Sequence, residues 1–427
     1  MSSVQSLEIR LGEVRVGYLT HYPDEKTIFS VDEAYIGMGS TRPVLSLSLS
    51  RPGDEASTEA LLRDERHKSA SVKAPPFFSN LLPEGGLRTR IAQSLKVHEE
   101  REFLLLAALG ADLPGAVILN PGDTPEHLRF RRGASGAAAV DEAAPLKFSL
   151  GGMQMKFSML RQGERYTLNM GTQLGNYIVK PPSRDFAALP RVEAATMETA
   201  RAVGIEVPEA LLLPPEHIDG LPDMGAYPQG EAFYAIRRFD RSEHMEGTKG
   251  GRIHTEDFAQ VFNLRPSQKY GRVNYEMIAQ TLLRYAGGLS DLKEMARRLA
   301  FNVLIGNGDA HIKNWSLIYD TPTRPRLAPA YDLVSTVAYT THDHSIALNM
   351  AGVKRFDAIT LDTFATLFAR IGLHERIQEE IMEEVRVTVQ RVKEAWENSF
   401  VAAGVPDDLI RKVEAHIRGI ALGWECA

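Results

Sequence analysis

One segment constrains this chain more than any other. The apolar run Leu299-Ala-Phe-Asn-Val-Leu-Ile305 ends abruptly at Gly306-Asn307-Gly308 and releases the polar cluster Asp309-Ala-His-Ile-Lys-Asn314. A run of that composition belongs to a buried element, and the Gly-Asn-Gly breaker ends it. Two short strands are then predicted, at Trp315–Tyr319 and from Pro325 to Asp332, with a turn at Asp320-Thr-Pro-Thr323. A loop, a hairpin and a carboxylate at the far strand's end fold Asp332 back towards Asn314. Asp309 and Asn314 have the D-x-x-x-x-N spacing by which a phosphotransferase loop carries a base and one metal ligand, and Asp332 stands where a second metal-binding carboxylate is needed. Phosphoryl transfer asks for little else than positioning, an orienter of the attacking hydroxyl, and Mg²⁺. The competing explanation is that Asp309 and Asn314 only satisfy turn and cap hydrogen bonds.

The rest of the chain narrows the setting. Its 427 residues exceed one ordinary domain, so two or three subdomains are expected. A net charge of −6 argues against unaided nucleic-acid binding through a dominant basic surface. The single cysteine, Cys426, excludes an internal disulfide framework and fits a reducing compartment. The first residues lack a basic and apolar leader pattern, and no stretch of eighteen apolar residues follows. A cytoplasmic protein with no membrane partner is expected.

Leu7–Leu11 and Val14–Tyr18 alternate around Gly12-Glu13 as a hairpin, and Val44–Ser50 alternates with period two, so a small antiparallel sheet or partial barrel is predicted at the N-terminus. Helical spacing begins after Pro75-Pro76. The Ala- and Gly-rich stretch 133–144 marks a subdomain boundary. Beyond it, strands are predicted within 147–160, 176–180 and 231–239, and a helix over 191–203. From Thr255 the pattern is mainly helical: 255–262, 275–285, 289–306, 361–369, 374–400 and 409–422. Thr255 reads as the first helix's N-cap.

Four further patterns carry chemistry. Phe148-Ser-Leu-Gly-Gly-Met-Gln-Met-Lys156 offers a nucleotide-covering loop, since Gly151 and Gly152 allow close backbone approach to phosphates; it is not a Walker A loop, and an ordinary hairpin is the alternative. Lys180 ends the apolar strand 177–180, and Glu193 opens the next helix; a phosphate-contacting lysine held by a carboxylate has this form, while a solvated lysine and a first-turn acid are the plain alternative. Ala235-Ile-Arg-Arg-Phe-Asp-Arg241 is either a strand end with solvated charges or a hinge whose backbone meets adenine. His342-Asp-His344 has no third spaced ligand for a metal.

In their order along the chain these motifs resemble the HipA family, the serine/threonine-kinase toxins of bacterial type II toxin–antitoxin modules. Asn80-Leu-Leu-Pro-Glu84 and Gly110-Ala-Asp-Leu-Pro-Gly-Ala-Val117 look like the family's N-terminal signatures. The 148–156 loop, Tyr177-Ile-Val-Lys-Pro181, Arg238-Phe-Asp-Arg241, Gly308–Asn314 and Pro329-Ala-Tyr-Asp332 follow. The resemblance implies an α+β fold: a β-rich, then helical N-terminal subdomain over 1–132, and a protein-kinase/PI3-kinase-like core over 145–427. That core would divide into a mixed nucleotide lobe, 145–254, and a mainly helical catalytic lobe, 255–427. It implies Asp309 as catalytic residue, Asn314 and Asp332 as Mg²⁺ ligands, and Glu193 as the acid that positions Lys180. ATP would be held by Gly151, Gly152, Met153, Gln154, Lys156, Lys180, His311 and Lys313, with Arg237, Arg238 and Phe239 at adenine. Ser149 would be a self-phosphorylated loop serine. The implied partners are a helix-turn-helix antitoxin of the HipB kind, operator DNA contacted mainly through it, and a protein substrate such as an aminoacyl-tRNA synthetase. Three departures stand out: Arg237 in place of an acidic hinge residue, Met155 where Glu is common, and Val192 before Glu193. A kinase of a small molecule or lipid headgroup, and a catalytically weak scaffold for an antitoxin–DNA complex, are the competing readings.

Overall fold

The computed structural model describes residues 6–66, 68–122, 155–168, 174–221, 228, 230–242, 251–339 and 344–425. Ser149, Gly151, Gly152, Met153 and Gln154, the boundary stretch 133–144, and His342 and Asp343 lie outside the described residues. The chain divides into two compact units, one of residues 1–178, 240–266 and 318–325, the other of 179–239, 267–317 and 326–427. The span 145–427 therefore contributes to both.

In the first unit the N-terminal alternation builds a five-stranded antiparallel sheet. Its spatial order is Ser69–Ser71, Lys26–Val31, Val14–His21, Ser6–Leu11, Val117–Pro121. Leu7, Ile9 and Leu11 alternate inward and are almost wholly buried, as period-two patterning requires. The register slips between Ile9 and Arg10, and Gly17 sits at that bulge. A Cβ at Gly17 would lie 2.0 Å from the Ser30 carbonyl oxygen, so only glycine lets these two strands approach. Short helices at Pro76–Ser79, Gly85–Ser94 and Glu102–Leu109 follow.

Two expectations fail here for stated reasons. Val44–Ser50 is not a strand but an irregular segment whose polar groups are claimed individually. Val44 donates to the Pro322 carbonyl at 2.8 Å, and the Ser46 hydroxyl and Leu47 N–H donate to Glu256 at 2.6 and 2.9 Å. Thr255 is not a cap either. It lies in the strand His254–Asp257, and Asp257 caps the helix Phe258–Val261 through a reciprocal box with Gln260. Strands His254–Asp257, Ser316–Thr321 and Arg324–Leu327 form a three-stranded sheet. The second hairpin strand thus ends at Leu327, and Asp332 sits in the loop beyond it rather than at a strand's end.

The second unit is mainly helical. Leu189–Ala202 and Leu289–Ile305 each pack against the long helix Glu375–Ala402, and Tyr275–Tyr285 packs against Leu289–Ile305. Strand Phe233–Arg237 pairs antiparallel with Ala210–Leu213 and packs on Leu189–Ala202. The helix Leu289–Ile305 is buried along almost its whole last three turns, which accounts for the apolar run. Gly306 ends it in the left-handed conformation, φ 69° and ψ 45°. No helix among the described residues is long and apolar enough to cross a membrane.

Candidate active site

The breaker after residue 305 becomes a tightly specified loop. Asn307 turns back on the helix, its N–H reaching the Asn302 carbonyl at 2.8 Å and its Nδ2 the Asn302 Oδ1 at 2.9 Å. The Asn307 Oδ1 then accepts from the Asp309 N–H at 3.1 Å, and Gly308 N–H donates to the Thr336 hydroxyl at 2.9 Å. Asn314 closes the loop by donating Nδ2 to the Asp309 carbonyl at 2.8 Å. Both peptide groups beside Asp309 are thus pinned, while its side chain stays about half exposed, at 51%. The Asn314 amide oxygen is left for another donor or a cation.

Lys180 is almost fully buried. The strand Tyr177–Lys180 delivers it inward, and Pro181-Pro182 ends the strand, since proline cannot extend the ladder. Its ammonium donates to both Glu193, from the buried face of helix Leu189–Ala202, and Asp332 Oδ1 at 2.6 Å. The side chains of Lys180 and Glu193 are 4% and 3% exposed, whereas that of Asp332 is 24% exposed and faces partly outward. Burial pulls the lysine's pKa down, but the charges of Asp332 and Glu193 outweigh it, so the net shift is upward. The ammonium also lies 5.4 Å from the centre of the Tyr234 ring, on the neighbouring strand. Burial, followed by the two carboxylates, pushes the Tyr234 phenol well up, so it stays neutral.

Asp332 is held in the left-handed region at φ 52°, unusual for a residue with a Cβ. Tyr331 beside it anchors the loop: its hydroxyl donates to the Lys313 carbonyl at 2.8 Å and is hydrogen-bonded to Ser316 Oγ at 2.5 Å. The loop of Asp332 is thereby fastened to the residue preceding Asn314, and the sequence separation between the two loops is bridged.

The remaining candidates are placed as follows. His311 is buried, with Nε2 3.7 Å from Asp309 Oδ1, and Lys313 is buried one residue before Asn314. Arg237 ends its strand with its N–H on the Glu209 carbonyl at 2.8 Å, Arg238 is among the largest fully buried side chains, and Phe239 lies 5.5 Å from the Tyr331 ring. Lys156 is buried just ahead of strand Phe157–Gln162 and belongs to the first unit. Arg241 is not a solvated charge. It is buried on Asp112 at 2.9 Å and Asp240 at 2.8 Å, and so ties the Gly110–Val117 signature to Asp240-Arg241 within the first unit.

One residue has no precursor in the sequence reading. The Tyr270 hydroxyl donates to Asp309 Oδ1 at 2.7 Å, and its ring meets His311 edge-on at 5.2 Å. It lies 39 residues upstream in a polar turn, where no spacing rule links it to Asp309.

A family model of the HipA-like C-terminal domain matches residues 148–396, and one of the HipA N-terminal domain matches residues 7–120. The chain belongs to the HipA-like family. A relative from Sinorhizobium fredii, named "Putative kinase Y4dM", is 40% identical over 418 residues, covering 96% of each chain. The "Serine/threonine-protein kinase toxin HipA" of Shewanella oneidensis is 26% identical over 298 residues, 64% of this chain and 65% of that one. A solved complex of Shewanella oneidensis HipA, HipB and operator DNA matches with a TM-score of 0.71 at 21% identity, covering 98% of this chain and 96% of that chain. The HipA-like protein therefore has an α+β, kinase-like fold.

Mg²⁺ suits the donors present. Among the described residues no cluster of three or more His, Cys, Asp or Glu is placed to hold a metal. A partly exposed carboxylate (Asp332) and an amide oxygen (Asn314) are the sparse oxygen set that Mg²⁺ takes when substrate phosphate and water complete its shell.

Proposed function

We propose that this chain is an ATP- and Mg²⁺-dependent serine/threonine protein kinase, the toxin of a type II toxin–antitoxin module. The observation that carries the reading is Lys180, buried and charged between Glu193 and Asp332. A lysine held ionised in that position suits an anionic ligand, and the partly exposed Asp332 would be available to a metal. Mg²⁺, when bound, supplies charge neutralisation across the phosphates. Lys180 then orients phosphate oxygens while Glu193 keeps its ammonium aimed. Asp309 orients the acceptor hydroxyl and receives its proton. Asn314 and Asp332 would hold the metal, and His311 and Lys313 would offset charge near the transferred group. Gly151, Gly152, Met153, Gln154 and Lys156 cover the phosphates, and Arg237, Arg238 and Phe239 meet adenine.

Further parts rest on the family alone. Ser149 is the self-phosphorylated residue, whose added dianion competes with ATP's own charge and switches the enzyme off. The substrate is a translation protein such as an aminoacyl-tRNA synthetase. The partner is a helix-turn-helix antitoxin that brings operator DNA, which the acidic charge of −6 leaves to that partner. The likeness in fold to HipA in its complex with HipB and operator DNA supports this partner. A cytoplasmic site of action follows from the same reading.

The test is phosphoproteomics after expression without antitoxin, wild type against Asp309→Ala. New phosphoserine or phosphothreonine on one protein in the wild type alone, with growth arrest, is expected. Equal toxicity and equal phosphorylation in Asp309→Ala overturn the reading; label in a small molecule instead of protein reassigns the acceptor class.

A further inference from the structure

We propose that Tyr270 is a positioning residue for Asp309, fixing which carboxylate oxygen meets the acceptor; this rests on Asp309 acting as proposed above. The Asp309 backbone is pinned from both sides, but that leaves the side chain free to turn. Tyr270 removes this freedom. Its hydroxyl donates to Oδ1 at 2.7 Å, and His311 Nε2 stands 3.7 Å from the same oxygen. The other oxygen, Oδ2, has no hydrogen-bond partner among the described residues. One oxygen is therefore held and the other presented, which is what an orienter of a hydroxyl requires: a carboxylate rotating freely would offer a productive oxygen only part of the time.

The position of Tyr270 is itself supported. Its ring packs edge-on against His311 at 5.2 Å, and the Lys269 ammonium lies 5.6 Å from the ring centre. The residue is 47% exposed, so no core packing explains an aromatic side chain here. Removing only its oxygen leaves the ring contacts and takes away one hydrogen bond to a charged acceptor.

The experiment uses the full chain with Mg-ATP alone, reading ADP release with water as acceptor, for wild type, Tyr270→Phe, Asp309→Asn and the double variant. Tyr270→Phe is expected to lower kcat about tenfold, the scale of one lost charge-assisted hydrogen bond, with KM for ATP and thermal midpoint unchanged. In the Asp309→Asn background the same change is expected to have no further effect, because Tyr270 acts through Asp309. An unchanged kcat in Tyr270→Phe overturns the proposal. So does a fall matched by a rise in KM for ATP, or a fall that persists undiminished on top of Asp309→Asn. Wild-type kcat in Asp309→Asn, or no ADP release by the wild type, overturns instead the kinase reading on which the proposal rests.

Discussion

Two buried glutamates, one in each compact unit, solve the same problem in opposite ways. Glu193 meets a cation: Lys180, shared with Asp332, compensates its charge directly. Glu256 meets only neutral donors, the hydroxyls of Ser46 and Tyr319 at 2.6 Å each and the Leu47 N–H at 2.9 Å. Burial pushes the Glu256 carboxyl up to about 7, against those three hydrogen bonds, which pull it down. A carboxylate with a partner ion stays charged. One surrounded by hydroxyls is free to be neutral, and serves as a staple between segments 209 residues apart.

The largest effect separating the two is expected from Lys180→Met. It keeps the apolar stem but removes the ammonium that Glu193 and Asp332 share. Breaking a buried pair by removing one partner costs about 3–5 kcal/mol, measurable as a shift in denaturant midpoint. A midpoint within experimental error of the wild type would mean that water reaches the two acids freely, and the contrast with Glu256 would collapse.

Glu256 is expected to show itself through pH instead. Its folded pKa lies above the unfolded carboxyl value, so its contribution is fully present below about 4.5 and is lost as pH rises through about 7. Glu256→Gln preserves acceptor and shape but cannot ionise. The difference in stability between wild type and variant is therefore expected to move by up to about 3 kcal/mol in the variant's favour between weakly acidic and weakly alkaline buffer. His254, whose ring stacks near Tyr319, is lowered by burial to about 4 and works in the other direction, losing its contribution as pH falls from about 6.5. It is present in both proteins and cancels in the difference. Lys180 does not enter this window, since a raised lysine loses its contribution only above about 10.5. A flat difference would place Glu256 with Glu193, ionised throughout.

The same contrast explains what the sequence could disclose. The end of the buried helix at Gly306 is legible because local chemistry dictates it: an apolar run, a left-handed cap, and a Val337 side chain only 2.4 Å from where a Cβ would stand. The helix Tyr275–Tyr285 and the first hairpin are local in the same sense. Lys180 and Glu193, 13 residues apart, are within reach of a motif reading, whereas the share of that lysine taken by Asp332, 152 residues away, leaves no local trace. Val44–Ser50 misleads because its Leu/Ser alternation is real, but its serine and amide groups are spent on Glu256 rather than on a neighbouring strand. Tyr270 is silent for the same reason: its partner is distant, and a tyrosine in a polar turn carries no period.

Asp257, next to Glu256 in the chain, offers the smallest and most local test. It is a third kind of carboxylate, one that caps a helix. Its Oδ1 accepts from the Gln260 N–H at 2.9 Å while the Gln260 side chain accepts from the Asp257 N–H at 2.9 Å. Such a box satisfies two helix-end donors that nothing else in the short helix Phe258–Val261 can reach. Asp257→Ala is expected to cost about 1 kcal/mol, the usual worth of an N-cap, and Asp257→Asn a small fraction of it, because asparagine caps equally well without charge. The charge-free variant is the informative one. If Asp257→Asn costs as much as Asp257→Ala, the charge and not the hydrogen bond holds this corner, and the division between ionic and neutral carboxylates drawn from Glu193 and Glu256 does not extend to it.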